Sequence, residues 1–217
     1  MATVSEEVPE RQLTPRGLRT RAQLVAAART IFERDGFVAS RITDIADEAA
    51  VSHGTFYTYF DSKEQIFREV LESIREVMLS GGRPAEEAVL EAVPDGRRSA
   101  RESIARANRR YLEAYRDNCQ LMIIWEQAAT LNEEFRSLLA DSRHSFTGRS
   151  ERFIRRLQET GAAEADIDPY YAAHALTAMM SRFAYVWFLG GERFEFETAV
   201  DQVTRLWCNA LGLREDA

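Results

Sequence analysis

At 217 residues and 45% hydrophobic, the chain is too apolar for a disordered tail and long enough to bury a sizeable core, as one large domain or two small ones. A formal net charge of −7 argues, taken whole, against nucleic acid as a partner, because phosphate contacts need cations. The average hides a gradient: residues 11–68 carry nine bases against seven acids, whereas residues 69–217 carry 19 bases against 25 acids.

Residues 1–13 mix Glu, Pro, Thr and Arg without periodicity and read as a mobile arm. Thr14 and Pro15 suit the N-cap and first turn of a helix, along which Leu24, Val25, Ala28, Ile31 and Phe32 recur at helical spacing. Gly36 is expected to end that helix in a left-handed conformation, with Phe37 folding back on its last turn. Two short helices over residues 40–60 follow. Ser62, with Gln65 three residues on, then opens a helix striped by Phe67, Val70, Leu71, Ile74 and Met78. Gly81, Gly82, Pro84, Pro94 and Gly96 break the chain into a loop region with room for a short helix over 85–92. Helices are expected next over 99–116, 119–129 and 133–159. Asp168 and Pro169 open another that Gly190 and Gly191 close, and the last spans 196–211. No strand-like alternation of useful length appears, so the predicted fold is all-α.

The segment 40–60 carries the functional signal. Ile42, Ile45, Ala46 and Ala49 line one face of its first helix, Val51 fills the turn, and Phe56 with Phe60 gives the second helix an inner face. Ser52 can cap that second helix, whose outer face then shows His53, Thr55, Tyr57, Thr58 and Tyr59. A short helix bearing hydrogen-bonding groups outward has the shape needed to enter a DNA major groove. An ordinary surface helix pair would look the same by periodicity alone.

The string itself is more specific. Ile42, Thr43, Asp44, Ile45 and Ala46, then Val51 to Phe60, then Asp61, Ser62, Lys63 and Glu64 closely resemble the N-terminal signature of the TetR family of regulators, with dense matching from about Leu24 to Leu71. The resemblance implies a three-helix DNA-binding domain with a helix-turn-helix over residues 14–61, and a larger helical effector-binding and dimerisation domain over 62–217, in which 62–80 is a linking helix. It casts Thr55, Tyr57, Thr58 and Tyr59 as contacts to bases and phosphates of double-stranded DNA, with Ser52, His53 and Gly54 at the reading end. Arg41 and Thr43 would meet the backbone, and Lys63 matches the family's phosphate-contacting lysine. One departure is Ala50, at a turn position where the family commonly has glycine.

The resemblance also implies a small-molecule pocket in the larger domain, with Met122, Trp125, Phe146, Met179, Phe183 and Trp187 as candidate lining, although apolar residues at helical spacing are more often plain core. The helix from Pro169 shows large apolar residues nearly all round, too many for one core-facing stripe. With the last helix it is expected to form a homodimer interface through Leu176, Met180, Ala184, Phe188, Val203 and Trp207. Three histidines with no metal-ligand spacing, and no nucleophile motif or phosphate loop, make an enzyme or a cofactor a poor reading. A helical enzyme, or a scaffold that binds no DNA, is the alternative. Cys119 and Cys208 lie far apart inside apolar patterns, and the most apolar stretch, 172–189, is interrupted by His174, Ser181 and Arg182, so a cytoplasmic protein with no membrane span is expected. Lys63 is the only lysine, a bias that codon usage alone would explain.

Overall fold

A computed structural model of the chain describes residues 14–80 and 96–213. All regular structure among the described residues is helical: α1 (Pro15–Ala39), α2 (Ile42–Glu48), α3 (His53–Tyr59), α4 (Lys63–Ser80), α5 (Gly96–Leu131), α6 (Glu133–Glu159), α7 (Pro169–Phe188) and α8 (Phe196–Ala210). The expected mobile arm and the short helix over 85–92 lie outside the described residues. The chain divides into two compact units between Val70 and Leu71, within α4.

In the first unit, the Thr14 hydroxyl accepts from the Gly17 amide at 3.2 Å and Pro15 takes the first turn, as the local sequence dictates. Gly36 does adopt a left-handed backbone, φ 75° and ψ 170°, but it kinks α1 instead of ending it, and a further turn runs to Ala39. A Cβ at Gly36 would meet nothing within 4 Å, so the backbone angle alone requires glycine there. Leu24, Ala28, Ile31 and Phe32 of α1 are sealed in the core together with Ile45, Ala46, Phe56, Phe60, Ile66 and Phe67. The rings of Phe32 and Phe67 meet edge-on with centroids 4.8 Å apart, and Phe37 folds back onto Phe67 at 4.6 Å. Burying each such ring stabilises the unit by roughly 1.5–3 kcal/mol. Arg21 clamps Glu69 through two bonds of 2.5 and 2.9 Å and lies over the Phe60 ring, tying α1 to the start of α4.

The second unit is built on α5, which packs against α6, α7 and α8. Two helices were expected over 99–116 and 119–129, yet α5 runs unbroken through Asp117 and Asn118. The Asn118 side chain is buried and its amide donates back to the Ala114 carbonyl at 2.7 Å, so it joins the helix instead of competing with it. Asn132 caps α6 by accepting from Glu134 and Phe135. The Trp125 indole N–H donates to the Phe135 carbonyl at 3.1 Å, which pins the α5–α6 corner. Asp168 caps α7, and Gly190 lets the chain leave it, because a Cβ there would lie 2.7 Å from the Val186 carbonyl oxygen. Among the described residues no helix is long and apolar enough to cross a membrane, and no group of side chains could hold a metal ion.

Five of the six residues expected at a dimer interface, Leu176, Met180, Ala184, Val203 and Trp207, are buried in this unit's own core, and Phe188 packs against it. Their all-round apolar pattern comes from the second unit itself: α7 has α5, α6 and α8 as neighbours, so apolar residues on several sides find partners within the chain. The five buried residues hold the unit together and leave little surface for a second copy, whereas Phe188 keeps part of its ring exposed.

Candidate functional site

α2 and α3 are joined by a four-residue turn, Ala49 to Ser52. The Ala49 amide donates to Ile45, that of Ala50 to Asp47 at 3.0 Å, and that of Val51 to Ala46 at 3.0 Å, so the orphan carbonyls at the end of α2 are satisfied by the turn itself. This closure puts Ala50 at φ 53°, the only non-glycine with positive φ among the described residues, and leaves it exposed. Ser52 then caps α3, its hydroxyl accepting from the Thr55 amide at 3.1 Å.

Phe56 is fully buried and the Phe60 ring lies beside it at 5.8 Å, which fixes the rotation of α3 about its axis. Because a helix turns about 100° per residue, the opposite side must face outward. Arg41, Thr43, Ser52, His53, Gly54, Tyr57 and Thr58 are all exposed there or on the flanking turns, with Thr55 and Tyr59 half-buried. The tyrosine at 57 is 48% exposed, with its ring edge-on to His53 at 5.1 Å and to Phe56 at 5.5 Å, so it is held in place before any ligand arrives. Thr55 is less free: its hydroxyl pairs with that of Ser52 at 2.8 Å. The Thr58 hydroxyl makes only a long bond, 3.4 Å, to the Gly54 carbonyl and stays available to an outside partner.

Lys63 stands apart from this face. Its ammonium donates to the carbonyls of Phe37 at 2.8 Å, Val38 at 3.2 Å and Ser40 at 2.9 Å, and sits 4.8 Å from the centroid of the Phe37 ring. Partial burial lowers its pKa from the ordinary lysine value. The expected phosphate contact therefore competes with three protein acceptors already in place. Sequence patterning shows nothing of this arrangement, and the one hint was compositional, a single lysine in an arginine-rich chain.

In the second unit the candidate lining residues separate. Trp125 is 1% exposed and its N–H donates to the Phe135 carbonyl. Met122, Phe146, Met179, Phe183 and Trp187 are half-buried around the core. Phe146, Phe183 and Trp187 belong to a continuous run of rings, Phe194 to Phe183 to Trp187 to Phe188 to Tyr115 to Tyr111 to Phe146, with successive centroids 4.4–6.2 Å apart. Burial pushes the Tyr111 phenol up to about 12 and raises Tyr115 as well. Asn118 keeps a buried carbonyl oxygen with no hydrogen-bond partner among the described residues.

The family model for bacterial regulatory proteins of the tetR family matches residues 24–70, and that for the C-terminal domain of the transcriptional regulator EthR matches residues 104–211. Over 129 residues the chain is 32% identical to the HTH-type transcriptional repressor KstR2 of Rhodococcus jostii, covering 54% of this chain and 60% of that protein. Over 57 residues it is 35% identical to the HTH-type transcriptional regulator TtgR of Pseudomonas putida, covering 26% of this chain and 27% of that protein. The match thus spans less than two thirds of the length of these curated relatives. Among solved structures, the fatty acid degradation regulator FadR from Bacillus halodurans superposes with a TM-score of 0.71 at 18% identity, over 95% of this chain and 100% of that one. FadR from Bacillus subtilis, in complex with stearoyl-CoA, superposes with a TM-score of 0.69 at 19% identity, over 87% of this chain and 98% of that one. At such identities the structures show the fold. These relatives are transcriptional regulators and not enzymes. With regulator models matching both its helix-turn-helix and its C-terminal helices, the chain belongs to the TetR family of bacterial regulatory proteins.

Proposed function

We propose that the protein is a sequence-specific DNA-binding repressor that acts as a homodimer and leaves its operator when a hydrophobic small molecule binds the second unit. The observation that carries this reading is the outward polar face of α3, held in register by the buried Phe56 and Phe60. His53, Gly54, Tyr57 and Thr58 present donors, an acceptor and a methyl group suited to base edges, while Arg41 and Thr43 flank them at the start of α2. A gel shift against the DNA flanking the protein's own gene tests it: a sequence-specific complex is expected, and binding no tighter than to random DNA counts against it.

For the effector, the half-buried Met122, Phe146, Met179, Phe183 and Trp187 supply an adaptable apolar lining. The similar fold of a FadR bound to stearoyl-CoA makes long acyl chains the first compounds to try. A panel of hydrophobic molecules should contain at least one that raises the thermal midpoint and releases DNA.

The dimer face we assign is the outer stripe of α7. Tyr171, Ala175, Ala178 and Arg182 are exposed and share one side of the helix at i, i+4, i+7 and i+11. Tyr171 is 74% exposed, a large ring left in water, and the two alanines let a second helix approach closely.

A further inference from the structure

We propose that Asn118 sets the specificity of the effector site: its amide oxygen accepts a hydrogen bond from a neutral donor, a hydroxyl or an amide N–H, on an otherwise apolar effector. This rests on the reading that the second unit takes a hydrophobic small molecule. Asn118 lies within α5 and is only 5% exposed. Its side-chain nitrogen donates to the Ala114 carbonyl at 2.7 Å, whereas Oδ1 has no partner among the described residues. The two ends of the amide cannot trade places, because turning it over would set Oδ1 against the Ala114 carbonyl, acceptor to acceptor. Nor can the backbone satisfy Oδ1, since α5 runs unbroken here and its N–H groups are bonded to carbonyls four residues back.

Helical position decides what this acceptor faces. At 100° per residue, Tyr111, Tyr115, Asn118, Met122 and Trp125 fall within about 80° of arc on α5, and Asn118 is near the middle. The Tyr111 ring lies 5.1 Å from that of Phe146 on α6, and the Tyr115 ring 6.2 Å from that of Phe188 on α7, so this stripe looks onto the run of rings. Met122, Phe146, Phe183 and Trp187, assigned above to the effector lining, pack in the same region. Other polar groups of the stripe are engaged: Tyr111 has Ser181 of α7 within reach, and the Trp125 N–H is bonded to the Phe135 carbonyl.

Asn108, on the same helix, is the contrast. It is buried as deeply, and its amide crosses to the Thr204 hydroxyl on α8 at 3.2 Å, tying two helices together. Among the described residues Asn118 bonds only its own helix, and it leaves an acceptor in an otherwise apolar wall. A buried acceptor without a partner destabilises the unliganded unit, and a donor carried in by a ligand relieves that penalty. An ether has no proton to give, and a carboxylate brings only acceptors.

The experiment titrates the full chain calorimetrically with decanol, with its isomer methyl nonyl ether and with decanoate. Alcohol and ether have the same atoms and nearly the same size, and only the alcohol has a donor. The parent should bind decanol several-fold to about tenfold tighter than the ether, and tighter than decanoate. In Asn118→Leu, similar in size but without the acceptor, the order should level or invert, because burying an unpaired hydroxyl costs more than burying an ether oxygen. Asn118→Met, with a more adaptable side chain, gives the same comparison should the leucine variant not fold. A parent that binds the ether or decanoate as tightly as decanol overturns the proposal, and so does an alcohol preference that survives loss of the asparagine. Those outcomes leave the hydrophobic-effector reading standing. If the parent bound none of the three probes, that reading would fail and the role of Asn118 with it.

Discussion

Ala50→Gly removes one exposed methyl from the turn of the helix-turn-helix and should raise stability. The argument is local: Ala50 sits at φ 53°, where the Cβ of an L-residue crowds the following carbonyl at a cost of roughly 1–2 kcal/mol. Glycine removes that cost but brings roughly 0.4–1 kcal/mol of extra unfolded-state entropy. The balance runs from about zero to about 1.5 kcal/mol in favour of glycine, or up to roughly 5 °C in the thermal midpoint for a chain of this size. Ala49, one residue earlier, is the control: at φ −77° and ψ −2° it is unstrained, so Ala49→Gly gains nothing and loses about 0.5–1 kcal/mol. Both variants keep the turn's amide bonds to Ile45 and Asp47. Thermal melts followed by circular dichroism should therefore show Ala50→Gly at or above the parent and Ala49→Gly below it. A fall for Ala50→Gly as large as that for Ala49→Gly would refute the strain assigned to this turn.

The outward Thr58 should read bases, so Thr58→Ala is expected to change which operator positions matter, at a cost of roughly 1–3 kcal/mol, with the salt slope unchanged; loss spread evenly over all sequences would move Thr58 to the backbone contacts. On α7, Ala178→Glu puts a charge at the centre of the assigned dimer face and should give monomers in sedimentation with the helical content intact. A dimer that survives it places the interface elsewhere. Ala184→Glu is no such test, since Ala184 is fully buried and the variant would report on folding. Alkaline titration probes the aromatic run: a folded-state phenol pKa raised to about 12 at Tyr111 means the native state holds that proton more tightly than the unfolded chain does, where phenols ionise near pH 10. The stability from this group is complete below about pH 10 and is lost as pH climbs towards 12. Phenolate absorbance should show Tyr111 and Tyr115 ionising together with unfolding, and their ionisation near pH 10 in a folded chain would contradict their burial.

What the sequence made legible was local chemistry. Thr14 with Pro15, and Asp168 with Pro169, announce helix starts because a cap and a fixed φ act within three residues, and both starts stand in the structure. The α2–α3 hairpin was equally plain, since Phe56 and Phe60 share one face whatever surrounds them. Tertiary choices were not legible. Asp117 and Asn118 look like a helix break, and only burial of Asn118 inside the second unit turns its amide back to Ala114. The apolar girth of α7 was compatible with a partner copy or with several neighbours in the same chain, and periodicity cannot separate the two. Lys63 escaped for a further reason: its three acceptors come from a segment 23 to 26 residues earlier, brought near by a kink whose extent the sequence did not show.

The unequal shelter of the three tryptophans has an optical consequence. Trp125 and Trp207 are shut inside packed core, so the colour of their emission is set by the fold and changes only if the fold does. Trp187 alone stands half-covered in the run of rings, stacked 4.4 Å from Phe188. A molecule that slides between those rings alters one emitter over a steady background from two. Intrinsic fluorescence of the unlabelled protein is thus a ready-made gauge of what enters the second unit, with its zero point supplied by the other two indoles.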